Sequence, residues 1–143
     1  MNVPQHVLIT IIFVVIIWPF TGAWALLAFI GGVLIDFDHL LYYIIKEKDF
    51  NLKNSYNYFR RIGHEGDDEK YKELRLMFHS FDAFLIMFIL ALFVRELIPL
   101  FLGMTLHLCL DVVYTYYKTG KFLTFTLFKK SGIVSLIRLI RNI

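Results

Sequence analysis

Cysteine is almost missing from this chain: Cys109 stands alone among 143 residues, which excludes an internal disulfide and any thiolate-rich zinc site. No lysine or arginine precedes Lys46. A secretory signal carries basic residues ahead of its apolar core. The first apolar run therefore reads as a retained segment, although Ala23-Trp24-Ala25 has the form of a cleavage site. Acid is missing from the tail. Residues 118–143 hold Lys118, Lys121, Lys129, Lys130, Arg138 and Arg141, and no Asp or Glu. No nucleic-acid-binding motif accompanies that charge, so it points to anionic membrane lipid and not to nucleic acid.

Apolar residues are plentiful. They make up 58% of the chain, with 17% aromatic, against about 45–50% apolar in soluble proteins. The length suits a single domain, 1–143. Pro19-Phe20-Thr21-Gly22 reads as a turn, and apolar periodicity predicts helices at about 4–18, 23–45, 79–97 and 99–117. The apolar part of the first helix, residues 7–18, is short for a hydrocarbon core of about 30 Å. Residues 46–78 carry eight Lys/Arg and seven Asp/Glu and read as a loop, with a short amphipathic helix expected at 67–77. In the tail 118–143, Ile133, Leu136, Ile137 and Ile140 recur at helical spacing opposite Arg138 and Arg141, the pattern of a helix lying on a membrane surface.

The expected fold is thus all-α: a polytopic membrane protein with a four-helix transmembrane bundle, a cytoplasmic loop and a C-terminal amphipathic helix. Fourteen of the fifteen basic residues lie in the loop and the tail. The positive-inside tendency then puts both termini in the cytoplasm, with the chain in the cell (inner) membrane. Nothing in the sequence bears on oligomeric state.

Ionisable groups interrupt the apolar runs. Asp36, Asp38 and His39 sit inside Gly31–Tyr43, where each unpaired charge costs on the order of 2.5–3.5 kcal/mol at a helix centre. Counting inward from the turns, His6 lies thirteen residues before Pro19, Asp36 fourteen after Gly22, Asp82 sixteen before Ile98 and Asp111 twelve after Pro99. These spans are all about 18–24 Å, so four antiparallel helices would bring polar groups to one depth. His107 and Asp111 are i,i+4; Asp36 and His39, like His79 and Asp82, are i,i+3. Each pair can offer a nitrogen and an oxygen to one point, as in helix-bundle metal sites. Asp38 falls on the other side from Asp36 if the helix is regular there. His64, in a polar stretch, reads as solvated.

The order His6, then Asp36-Phe37-Asp38-His39, then Phe78-His79-Ser80, then His107-Leu108-Cys109-Leu110-Asp111 resembles the YdjM-like family of inner-membrane metal-dependent hydrolases over most of residues 1–115. That family has an early Gly-His, where Gln5 precedes the histidine here. It also has an Arg-Gly-Phe-Thr-His-Ser stretch, of which Arg75, His79 and Ser80 remain. The late His-x-x-x-Asp is also similar to one in zinc-dependent phospholipases C. The resemblance implies a metal site better than it implies a particular reaction.

Three functions compete. The first is a membrane-embedded metallohydrolase. His6, Asp36, His79, His107 and Asp111 are its ligands, and His39, Asp38 and Asp82 support them or hold a second ion. The divalent ion would be Zn²⁺, with Mn²⁺ or Fe²⁺ as alternatives for an imidazole–carboxylate set. Asp38 or Asp82 would accept a proton and Arg75 would hold a phosphate, the depth suggesting a lipid phosphoester as substrate. The second is a non-enzymatic membrane protein that binds or transports a cation through the same cluster. The third is an interaction module built on the loop and the basic tail.

Overall fold

A computed structural model describes residues 3–65, 76–122 and 131–141. Among the described residues the architecture is helical, without strands. The helices are α1 (Val3–Thr21), α2 (Leu26–Val33), α3 (Phe37–Glu47), α4 (Leu52–Glu65), α5 (Phe81–Phe93), α6 (Ile98–Thr119) and α7 (Gly132–Arg141). Single 3₁₀ turns occupy Gly22–Ala25, Leu34–Asp36 and Arg95–Leu97. The chain forms two compact units, Met1–Ile35 with Phe84–Tyr114, and Asp36–Ala83 with Thr115–Ile143.

In the first unit α1 continues through Pro19 and turns at Gly22, whose φ of 56° is left-handed and open to glycine without a Cβ penalty. The helix is therefore longer than the sequence suggests: 19 residues, about 28 Å. The returning segment packs against α1 because its contact face is small. Ala25 and Ala28 are fully buried against Val14, flanked by Phe13, Ile17 and Phe29. Another edge of α2 meets α6. A Cβ on Gly31 would stand 2.2 Å from the Leu100 carbonyl oxygen, and one on Gly103 would stand 2.1 Å from that of Ala28. The two backbones approach through these small residues, as apolar helices do where no side chain intervenes. Phe84 and Phe88 of α5 pack on Phe101 of α6 at ring separations of 5.0 and 5.4 Å.

The outward side chains of this unit are largely apolar. Val15, Ile16, Phe20, Leu92 and Phe93 are exposed, as are most large apolar side chains of α1 and α5. A monomer in water rarely shows such an expanse. Among the described residues two stretches are long and apolar enough to cross a membrane, Pro4–Glu47 and Arg95–Thr119; the first doubles back at Gly22. α5, at 13 residues, spans only about 20 Å.

The second unit corrects the expected loop at 46–78. α3 ends at Lys48, in the left-handed conformation with φ 53° and its N–H on the Ile44 carbonyl. α4 then fills Leu52–Glu65. Its start is built by two side chains. The Asn51 side-chain oxygen Oδ1 accepts the amides of Lys53 (3.0 Å) and Asn54 (3.2 Å), a side-chain N-cap. Asp49 accepts the Asn51 amide at 2.9 Å, and the Tyr43 hydroxyl and the Asn54 side-chain amide at 2.8 Å each. These donors, the Asn54 amide foremost, hold the Asp49 carboxyl below the usual carboxylate range. α4 packs on α3 through a core of Tyr42, Ile62 and Leu76, with Tyr58 and Phe59 against it. The expected helix at 67–77 lies almost wholly outside the described residues.

α7 covers the residues of the amphipathic pattern in the tail. Its first turn is held by Asp82, which accepts the Gly132 amide (2.7 Å), the Ile133 amide (3.0 Å) and the Ser131 hydroxyl (2.9 Å). Gly132 is buried there. A Cβ would come within 2.3 Å of Ser80 Oγ and 2.6 Å of the Met77 carbonyl oxygen.

Candidate metal-binding clusters

Among the described residues each unit brings together imidazoles and carboxylates around buried histidines. In the first unit, α1 supplies His6 and α6 supplies His107 and Asp111. His6 Nε2 lies 2.9 Å from Asp111 Oδ1, and His107 Nε2 lies 3.3 Å from Asp111 Oδ2. The two imidazoles stack at 4.2 Å. Both histidines are buried. The expected i,i+4 pairing of His107 with Asp111 holds, and His6 joins it from 105 residues away in sequence.

The protonation of His107 follows from its partner. Its Nδ1 lies 2.8 Å from the Gly32 carbonyl oxygen. A carbonyl only accepts, so Nδ1 carries the hydrogen and donates it. In a neutral ring Nε2 is then a bare lone pair, and it faces a carboxylate oxygen that also only accepts. Two acceptors in contact repel unless a cation lies with them, either a proton on the ring or a metal ion. A backbone carbonyl on the far nitrogen is the usual arrangement that aims a ligating histidine.

In the second unit Asp36 and Asp38 flank the start of α3. Both reach His39 Nδ1, at 3.3 Å (Asp36 Oδ1) and 3.0 Å (Asp38 Oδ1). A regular helix separates these carboxylates. The tighter 3₁₀ turn at Leu34–Asp36 changes the helical phase and lets both face one imidazole. Asp38 Oδ2 accepts the Phe78 amide at 2.9 Å and lies 3.1 Å from His79 Nδ1. His79 Nε2 lies 3.7 Å from Asp36 Oδ1. Both nitrogens of the buried His79 thus face carboxylates, while a neutral imidazole has one hydrogen to give. Here too a cation resolves the conflict. Ligand atoms of Asp38, His39 and His79 lie within 4.8 Å of one another, close enough that the group could hold a metal ion. Tetrahedral coordination at about 2.0–2.2 Å would need them roughly 3.5 Å apart.

The remaining predicted residues fall elsewhere. Asp82 caps α7 with both carboxylate oxygens. Ser80 caps α5, its hydroxyl donating to the Met77 carbonyl and accepting the Ala83 amide. Arg75 and the side chain of His64 lie outside the described residues.

Two participants went unpredicted. The Gly32 carbonyl has no sequence signature. Thr10 has a weak one, as the lone polar residue in the apolar run 7–18. It is fully buried one turn along from His6. Neither Thr10 Oγ1 nor His6 Nδ1 has a hydrogen-bond partner among the described residues. Leaving such atoms unpaired costs about 1–3 kcal/mol each.

No protein-family model, curated protein or solved structure matches this chain.

Proposed function

We propose that the chain is a membrane-embedded metal-dependent hydrolase of the YdjM-like kind, acting on a lipid phosphoester near the cytoplasmic leaflet. The reading rests on one observation above all: buried histidines face acceptor oxygens at more positions than their hydrogens can serve. His6, His107 and Asp111 would be ligands from the first unit. Asp36, His39 and His79 would be ligands from the second, with Asp38 orienting His79. Zn²⁺ suits this set, and Mn²⁺ or Fe²⁺ could replace it. A bound divalent ion would supply hydroxide at neutral pH by lowering the pKa of water to about 7. Asp38 Oδ1 would take a proton, and Arg75 would hold the phosphate.

The membrane placement rests on the exposed apolar faces and the two spanning-length stretches. The charge distribution supports a multi-pass arrangement in the inner membrane with both termini cytoplasmic. In this arrangement α7 would lie on the inner surface, with Ile133, Val134 and Ile137, all exposed, toward lipid.

Elemental analysis of detergent-purified protein beside the His107→Ala variant is the first test. The parent should carry close to stoichiometric Zn²⁺, Mn²⁺ or Fe²⁺, and the variant much less. Metal-loaded protein that leaves a broad panel of phospholipids and model phosphodiesters intact would count against hydrolysis. Uptake of metal into sealed vesicles, abolished by Asp111→Ala, would favour cation transport instead.

A further inference from the structure

We propose that Thr10 is a positioning residue for His6, taking the Nδ1 hydrogen so that the Nε2 lone pair points at the ion. The inference rests on the metal-site reading above and assigns a role to a side chain outside the ligand set.

Threonines inside helices usually return their hydroxyl to the carbonyl four residues earlier. Among the described residues Thr21 does so to Ile17 at 3.0 Å, Thr105 to Phe101 at 2.8 Å and Thr119 to Thr115 at 2.8 Å. Thr10 does not, although it sits in the middle of α1 and is fully buried. The residue four positions before it is His6, on the same face of the same helix. The Nδ1 of His6 is also buried without a partner among the described residues. Two unpaired polar atoms thus lie on one stripe of one helix. Each supplies what the other lacks once Nδ1 carries the hydrogen: the ring donates and the hydroxyl oxygen accepts, directly or through one water.

Gly32 makes room for this. A Cβ at position 32 would lie 2.6 Å from Thr10 Cγ2 and 2.7 Å from Thr10 Oγ1. The same residue's carbonyl takes the Nδ1 hydrogen of His107. The two imidazoles that face Asp111 would then be aimed alike, one by a backbone carbonyl and one by a threonine hydroxyl. Without an acceptor on Nδ1, His6 settles with its hydrogen on Nε2, bonded to Asp111 and closed to a metal.

The test compares Thr10→Val, which keeps shape and loses the hydroxyl, with Thr10→Ser, which keeps the hydroxyl. Full-length protein in detergent is titrated with Zn²⁺ against a chromophoric competitor, and with Co²⁺ while its visible absorption is followed. Thr10→Val should weaken metal binding by roughly 10–100-fold, the usual effect of losing a group that orients a ligand. Thr10→Ser should stay within a few-fold of the parent. In a His6→Ala background Thr10→Val should cause no further loss. Should Thr10→Val fail to fold, Thr10→Ala against Thr10→Ser reads the same difference. Parent-like affinity in Thr10→Val overturns the inference and leaves the metal site standing. A parent that binds neither ion overturns both.

Discussion

At the scale of single residues, the determining fact is the number of hydrogens on an imidazole. His79 meets carboxylate oxygens with both nitrogens, and His107 meets a carbonyl with one and a carboxylate with the other. The identities of these residues were legible in the sequence, because carboxylates and imidazoles inside apolar runs stand out against their cost. Their partners were not: Gly32 acts through its backbone and Thr10 through what it fails to bond. Asp49 shows the same limit outside the spans. Its lowered pKa means that its contribution is complete above the unfolded value of about 3.9 and fades as pH falls through the folded value. Acidification below about pH 4 should therefore lower the protection of the Asn51 backbone amide and the Asn54 side-chain amide against hydrogen exchange, measured relative to the intrinsic rate at each pH. Asp49→Asn should show the lower protection already at neutral pH and lose most of that pH dependence. An unchanged profile in the variant would remove Asp49 from the cap.

At the scale of elements, helix ends separate what could be read from what could not. The apolar helices were visible from their composition, yet α1 runs three residues past the expected end and α5 stops four short. Pro19 was read as a stop, whereas the turn needed the positive φ that Gly22 supplies. α4 was missed because its charged residues dominate the average. Its buried side, Ser55, Phe59 and Ile62, recurs at i, i+4 and i+7, and the Asn51 cap precedes it. Asp82 was read as part of a metal site from its i,i+3 spacing to His79. Spacing along one helix cannot say that the N-terminus of another helix arrives fifty residues later to claim the carboxylate. Asp82→Ala should cost α7 about 0.5–2 kcal/mol, seen as faster exchange at the Gly132 and Ile133 amides, with metal content unchanged. Loss of metal in that variant would return Asp82 to the site.

At the scale of the whole molecule, ligand binding and stability are coupled. If the clusters hold an ion in the folded state alone, free metal at 100 times Kd adds about 2.7 kcal/mol. Chelation of detergent-purified protein should lower Tm measurably, and re-addition of Zn²⁺ should restore it; a Tm indifferent to both would argue for a self-satisfied polar network. The sequence alone determined the helical class, the spanning-length apolar stretches and the roster of ionisable groups, because composition and periodicity are properties of neighbouring positions. Only the tertiary structure decided which groups meet: His6 with Asp111, Asp38 with His79, Asp82 with the start of α7. Those pairs are 105, 41 and 50 residues apart. Close approach is part of the reason: Gly31 and Gly103 let the backbones of α2 and α6 meet, and Gly32 and Gly132 leave room for Thr10 and for Ser80, a condition no local pattern in the sequence announces.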